Sequence, residues 1–277
     1  MHLSLRAAFV SLAAIAVPLS GCKIEGELHA ETLVRYEGQD RNDSAAYTAG
    51  QSLLIQSRMG NVDVLAGSGD SLEVTFQPFT MDTKDNEQIA TDQIREMLNT
   101  ELTTEGDLIK VEVWRDDGAS GNLGADVIVT LPAGFDGDFQ LNEEQGFVEI
   151  DLAGRARSTK VTHTGPGDVT VTGASGPLEI DMSEGVGDAE VDVARWGAGF
   201  VTTSNGDINI WVPAGANGSI QASANSVEPV VVGPDPLPAD WTVAENSPSS
   251  KSFTFGEGGD NVVLTTEDLG DIFIVAK

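Results

Sequence analysis

Residues 203–210 read Thr-Ser-Asn-Gly-Asp-Ile-Asn-Ile, a glycine–aspartate corner followed by apolar residues at every second position. Alternation with a period of two predicts a β-strand that buries one face. The pattern recurs upstream at steps of 21, 20 and 19 residues, and related segments occur early and late in the chain. The segments begin at Gly60, Gly146, Gly167, Gly187, Gly206 and Gly270.

A second strand-like run follows within each step, at 159–164, 178–182, 200–203 and 219–222. Two strands and a Gly/Asn/Asp corner in about 20 residues predict an all-β fold of the β-solenoid or β-helix type, in which coils stack about 4.8 Å apart. An up-and-down barrel would also alternate, but it would not require a near-constant step with the same corner residues. The stacked coils should form aliphatic columns from Val148/Ile150, Val169/Val171, Ala189/Val191 and Ile208/Ile210.

One stretch departs from this pattern. Residues 82–100 contain neither Gly nor Pro, and Ile89, Ile94, Met97 and Leu98 recur at helical spacing. We expect one short helix here, covering a sheet edge or capping one end. The Pro-rich stretch 229–249 should be a loop over one flank, because proline is excluded from central strands.

The N-terminus has the features of a secretory signal. Arg6 precedes an apolar run at 7–19, which is too short to span a bilayer as a helix. The run ends in Leu19-Ser20-Gly21-Cys22, which resembles a bacterial lipobox. By that resemblance Cys22 is lipidated and becomes the first mature residue, and the acyl chains anchor the protein to a membrane.

These features divide the chain into a lipoprotein signal peptide at 1–21, a lipidated tether at 22–46 that holds at most one short strand, and a β-solenoid domain at 47–277. Lys23, rather than Asp, follows the cysteine. The resemblance to sorted lipoproteins therefore implies an outer-membrane location, with the periplasmic or surface face left open.

The recurring Thr/Ser-x-x-Gly-Asp-Ile-x-Ile pattern, at 203–210 and again near 266–274, resembles the bacterial putative-adhesin family. That family is a domain of unknown function often carried by lipoproteins. The resemblance spans roughly 47–277 and implies a solenoid-like fold and an envelope location. It implies no catalytic residues.

Composition and motifs narrow the function classes. The chain has 44 acidic and 15 basic residues, a formal charge of −29, which disfavours nucleic-acid binding. Its single cysteine permits no internal disulfide. Phosphate-binding loops, the Gly-x-Ser-x-Gly elbow and the His-Glu-x-x-His motif are all missing from the sequence. We therefore expect no enzyme.

Two sets of residues are candidates for binding. Asp168, Asp188 and Asp207 would stack in a column, where each either bonds backbone N–H groups of its own turn or binds Ca²⁺ with its neighbours. The four tryptophans, Trp114, Trp196, Trp211 and Trp241, are candidates for stacking on a sugar, against the alternative of core or cap packing. Trp196, at a corner, and Trp211, at an outward or edge position, are singled out among them. His163 is expected to face outward.

The sequence thus predicts a lipid-anchored, non-enzymatic envelope protein that binds an envelope protein or a glycan. The alternatives are a structural module that self-associates through its sheet edges, and an enzyme acting on polysaccharides. Exposed aromatic clusters on a lateral face would favour binding, an uncapped hydrophobic edge strand would favour assembly, and a deep cleft that gathers two carboxylates with a Lys or Arg would favour the enzyme.

Overall fold

The computed structural model describes residues 33–83, 85–225, 230–233 and 237–277. The chain divides into two units, 1–32 and 33–277, and all described residues belong to the second. The predicted signal peptide and Cys22 lie outside the described residues. The described part of the chain contains no helix long and apolar enough to cross a membrane.

The described residues form an all-β fold of two 11-stranded sheets with one helix, α1, at Glu87–Met97. The first sheet contains β1 (Leu33–Glu37), β2 (Arg41–Ala46), β4 (Val62–Ala66), β5 (Ser71–Thr83), β8 (Leu123–Leu131), β10 (Val148–Asp151), β12 (Val169–Ser175), β14 (Ala189–Arg195), β16 (Ile208–Val212), β18 (Val231–Gly233) and β22 (Ile272–Ala276). The second contains β3 (Ser52–Ser57), β6 (Leu98–Glu105), β7 (Leu108–Arg115), β9 (Asp138–Glu143), β11 (Ser158–His163), β13 (Leu178–Val186), β15 (Gly199–Asn205), β17 (Gly218–Ala224), β19 (Trp241–Asn246), β20 (Ser250–Phe255) and β21 (Asp260–Leu269).

From β7 to β17 successive strands alternate between the two sheets, and neighbours within each sheet are parallel. The register aligns the predicted glycine–aspartate segments, so that Val169 pairs with Val148 on one side and with Ala189 on the other. The early and late segments join the same ladder, β4 beside β10 and β22 beside β16. The inward apolar residues of both sheets are buried and form one hydrophobic core.

The corner glycines are required by the closeness of successive corners. A Cβ atom on Gly187 would lie 1.9 Å from the carbonyl oxygen of Gly167, and one on Gly206 would lie 1.8 Å from that of Gly187. Any side chain would force these backbones apart. The reason for glycine is thus the approach of two backbones as well as the unusual φ angle.

Antiparallel strands cover three of the four ends of the parallel ladders, and at the fourth β18 adds to β22 in parallel. At one end β5 pairs with β8 and carries β1 and β2, while β6 pairs with β7. At the other end β20 pairs with β17, and β19 covers β20. The outermost strands are short, or present charged residues such as Glu101 and Glu105 of β6, which disfavours pairing with another chain.

Three predicted boundaries change. The helix spans Glu87–Met97 rather than 82–100, because Asp82 and Thr83 end β5 and Leu98 already has the extended backbone that begins β6. The described part of the predicted tether, 33–46, forms β1 and β2. Arg35 holds β1 through an ion pair of 2.7 Å with Asp126 and a cation–π contact with Phe79.

The Pro-rich stretch 229–249 is not entirely a loop, since its described residues include β18 and β19. Each of these strands is the last of its sheet. The five prolines of the stretch, at 229, 234, 236, 238 and 248, all stand outside these two strands in the sequence, so neither strand loses a ladder hydrogen bond to a proline.

Candidate functional site

The predicted aspartate column exists as a ladder of hydrogen bonds between successive corners. The backbone N–H of Asp188 donates to Asp168 Oδ1 at 3.0 Å, and that of Asp207 donates to Asp188 Oδ1 at 2.8 Å. The ladder continues to the backbone N–H of Asp271, which donates to Asp207 Oδ1 at 2.8 Å. The carboxylates therefore bond the next corner of the stack rather than their own turn.

The same column extends toward the other end of the stack with one interruption. Asp126 Oδ1 accepts from the backbone N–H of Asn61 at 2.8 Å, and Asn61 Oδ1 accepts from Phe147 at 3.1 Å. Phe147 stands at the next position and is 59% exposed, and its ring cannot accept a hydrogen bond. We call Asp126, Asn61, Phe147, Asp168, Asp188, Asp207 and Asp271 the corner column.

The geometry of the corner column favours a structural role for its carboxylates. Burial raises the pKa of Asp188; the hydrogen bond from Asp207 lowers it, and the charges of Asp207 and Asp168 raise it. Among the residues that the structure describes, no group of three or more His, Cys, Asp or Glu side chains is arranged to hold a metal ion. The backbone N–H groups supply the partners that these carboxylates need.

The threonines of the sequence motif stabilise the corners from inside. The hydroxyl of Thr203 donates to the carbonyl of Gly206 at 2.9 Å, and that of Thr266 donates to Gly270 at 3.1 Å. His163 acts similarly, with Nε2 donating to the Gly146 carbonyl at 2.9 Å. The expectation of an outward His163 is wrong: it shares the inward face of β11 with Val161, two residues earlier, and both are fully buried.

Trp196 and Trp211, two of the predicted stacking residues, differ in their exposure. Trp196 lies in the core, 9% exposed, with its indole N–H donating to the carbonyl of Asp260 at 3.0 Å and its ring against Phe255 at 5.0 Å. It therefore presents no face to a ligand. Trp211 lies half-buried on the outward side of β16, paired with Asp192 and Val275.

Trp114 borders a surface depression that is lined by several polar and charged side chains. Trp114, 37% exposed, borders a depression of about 310 Å³ on the outward side of the second sheet, which we call the lateral cleft. Its floor crosses β7, β3, β9 and β11 at one register level, through Glu112, Gln56, Asn142 and Thr162. These side chains share one outward-facing row because the strands are parallel and in register.

The charged groups at the lateral cleft are balanced in ion pairs. Arg58 and Glu144 approach to 3.5 Å at the rim, with about half of each side chain exposed. Lys110 lies 3.0 Å from Glu112. Such pairs contribute little stability, about 0–1 kcal/mol, but they give the carboxylates of Glu112 and Glu144, which line the cleft, a cationic partner each.

A buried carboxyl group lies among these residues. Glu143 is 2% exposed and lines the lateral cleft, with Oε1 accepting from the backbone N–H of Gln145 at 3.2 Å. Ser57, its partner in the ladder, interacts with the carboxyl group, but neither Ser57 Oγ nor Glu143 Oε2 completes a hydrogen bond of good geometry. Burial raises the pKa of Glu143 to about 8, so the group is protonated at neutral pH.

Sequence reasoning missed Glu143, although a signal was present. Phe139 and Leu141 are buried on β9, and the period of two continues to residue 143 on the same face. A carboxylate at an inward position of an apolar alternation indicates a perturbed group. Trp114 is among the four tryptophans that the sequence offers for stacking, and the structure places it outward on β7.

No family model and no curated protein matches the chain. Among solved structures it is similar to a putative cell adhesion protein from Clostridium sporogenes ATCC 15579, with 11% identity, a TM-score of 0.45, and coverage of 86% of this chain and 100% of that one. It is also similar to a putative adhesin from Bacteroides fragilis NCTC 9343, with 12% identity, a TM-score of 0.31, and coverage of 85% and 97%.

Proposed function

We propose that this chain is a lipid-anchored protein of the bacterial cell envelope, and that its β domain is a solenoid that binds a partner at the lateral cleft without chemical turnover. The alternation of strands between two parallel sheets supports the solenoid. So do the corner glycines and the corner column, which repeat at the same place in successive turns of the chain.

The anchor is proposed from the lipobox-like stretch that ends at Cys22, the only cysteine in the sequence. Several acyl chains on one residue would hold the protein at a membrane in an effectively permanent way, since each buried methylene contributes about 0.8 kcal/mol. The sequence on either side of that cysteine supports the outer membrane as the location.

The observation that carries the binding function is the lateral cleft itself. It combines an exposed aromatic ring with a row of uncharged amide and hydroxyl groups. Sites for organic ligands have this composition, a few well-placed polar groups beside an aromatic surface.

Sedimentation with purified envelope fractions tests the binding function. The full-length, detergent-extracted protein should co-sediment with one fraction, such as peptidoglycan or outer membrane, and Trp114→Ala should abolish this. Trp211→Ala is the matched control on the other sheet and should bind normally. Binding that survives Trp114→Ala, or that is lost only in Trp211→Ala, would remove the lateral cleft from the proposal.

The anchor is tested separately in cells. Cys22→Ser should abolish labelling by a palmitate analogue and release the protein from the membrane fraction. Unchanged labelling and fractionation would contradict lipidation at that residue. Because this variant leaves the lateral cleft intact, the two tests are independent.

A second function, glycoside hydrolysis, is favoured by one observation. Glu143 has the raised pKa of a general acid, and Glu112 lies on the floor of the same cleft. Two features weigh against it: the carboxyl group of Glu143 is almost fully buried, and both Glu112 and Glu144 already have cationic partners. Release of reducing ends from a polysaccharide by the wild type but not by Glu143→Gln would establish it.

A further inference from the structure

We propose that the lateral cleft recognises a neutral saccharide, with a sugar ring against Trp114 and sugar hydroxyls bonded to Gln56, Asn142 and Thr162. This inference rests on the proposed function and specifies its ligand. The spacing of the polar row, the balance of charge and the position of the cleft within the sheet support it.

The polar row matches a ligand with many hydroxyl groups. Gln56, Asn142 and Thr162 lie on adjacent parallel strands at one register level, about 4.8 Å apart from strand to strand. Amide and hydroxyl side chains both donate and accept hydrogen bonds, as sugar hydroxyls do. A row with this spacing offers successive partners to the successive units of an extended chain.

Trp114 provides the apolar surface that such a ligand also needs. Its side chain is the large exposed aromatic at the border of the cleft. The flat, weakly polar face of a sugar ring packs on an indole ring, while its hydroxyls point to the polar row. A ligand with only hydroxyls would leave Trp114 without a role.

The charge pattern favours a neutral ligand over an ionic one. Arg58 is paired with Glu144 and Lys110 with Glu112, so no unpaired cation or anion is directed at the ligand by these groups. The whole chain carries a formal charge of −29, which repels acidic polymers at long range. A cationic ligand would have to displace Arg58 or Lys110 from its carboxylate.

The location of the lateral cleft disfavours a peptide bound by strand addition. Peptides that add to a sheet need an edge with free backbone groups. The cleft instead crosses the interior of the second sheet, where β3 is paired with β7 on one side and β9 on the other. Only side chains are available there, which suits a saccharide.

Glu143 lies beneath the lateral cleft and brings no charge to it. Its side chain shares the inward face of β9 with Phe139 and Leu141, and burial keeps its carboxyl group protonated near neutral pH. A ligand in the cleft therefore meets a neutral group at this position, which agrees with a neutral saccharide.

Isothermal titration calorimetry on the full-length, detergent-extracted protein tests the inference. The probes are cello-, chito-, xylo-, malto- and mannohexaose, with a galacturonate hexamer as the acidic comparison and a neutral hexapeptide as the peptide comparison. We expect at least one neutral oligosaccharide to bind and the acidic and peptide probes to fail. Trp114→Ala and the double variant Gln56→Ala/Asn142→Ala should each weaken binding by about tenfold or more, whereas Trp211→Ala should not.

The outcomes separate this inference from the proposed function. If no neutral saccharide binds but sedimentation with an envelope fraction still depends on Trp114, the ligand class is wrong and the binding function stands. If the hexapeptide or the galacturonate binds instead, the saccharide is overturned. If neither assay depends on Trp114, both proposals fail, and unchanged melting temperatures of the variants show that misfolding is not the cause.

Discussion

Replacing Glu143 by Gln should change how the stability of the protein depends on pH. The folded protein holds the carboxyl proton up to about pH 8, whereas an exposed glutamate releases it near pH 4.5. Between these values the folded state binds one more proton than the unfolded state at this residue. The free energy of unfolding therefore falls as pH rises, by about 1.4 kcal/mol per pH unit.

The magnitude follows from the width of that window. The loss is absent below pH 4.5 and complete above pH 8, and it amounts to about 5 kcal/mol at most. Glutamine has the shape of the protonated acid and does not titrate. Glu143→Gln should therefore match the wild type near pH 4.5 and exceed its stability by several kcal/mol at pH 8.

Urea denaturation at half-unit pH intervals from 4.5 to 8.5 measures this difference. Glu144→Gln is the matched control, because it makes the same change one residue away, on a side chain that is about half exposed. Burial lowers the pKa of His163, which makes stability rise with pH near 6.5 in every variant, so that contribution cancels on comparison. Parallel curves for wild type and Glu143→Gln would refute a buried, protonated Glu143.

Substitutions at three corner positions, two of them with a comparison variant, test the corners by chemical denaturation. Asp188→Ala should lower the free energy of unfolding by about 1 kcal/mol, because the backbone N–H of Asp207 loses its acceptor, and Asp188→Asn should lower it less. A Tm that rises with millimolar Ca²⁺ in the wild type but not in Asp188→Ala would favour a cation site instead. Phe147→Asn should stabilise the protein by about 1 kcal/mol, since the amide can continue the hydrogen-bond ladder that the exposed ring interrupts, and a loss of stability would show that the ring packs on something essential. Gly187→Ala should destabilise the protein by several kcal/mol or prevent folding. Gly69→Ala should change the denaturation midpoint little, because its Cβ would have no atom within 4 Å. Equal effects of the two variants would contradict the close approach of the corners.

The alignment of the corner segments could be predicted from the sequence because each carries its own local signal. The period of two buries Val169, Ala189 and Ile208, and the glycine before each marks the turn. The register confirms that alignment, including the distant segments at Gly60 and Gly270. The outward position of Trp211 followed from the same alternation.

The lateral cleft could not be predicted, because it depends on pairings between strands far apart in the chain. Gln56 and Asn142 become neighbours only when β3 inserts between β7 and β9. No local sequence signal specifies this order, in which the early strand β3 lies between two strands that come later in the chain. The local signal for Glu143 was present, but with 44 acidic residues in the chain a single carboxylate at an inward position is weak evidence of a perturbed group.

The partial exposure of the tryptophans allows a direct measurement of where the ligand binds. In a protein labelled with ¹⁵N at the indole nitrogens, the signals of Trp114, Trp196, Trp211 and Trp241 can be assigned by single substitutions and followed while a neutral hexasaccharide is added. The indole signal of Trp114 should shift with saturation, while those of the buried Trp196 and of Trp211 on the other sheet should stay in place. A shift confined to Trp211 or Trp241, or no shift of Trp114 at saturation, would contradict binding at the lateral cleft.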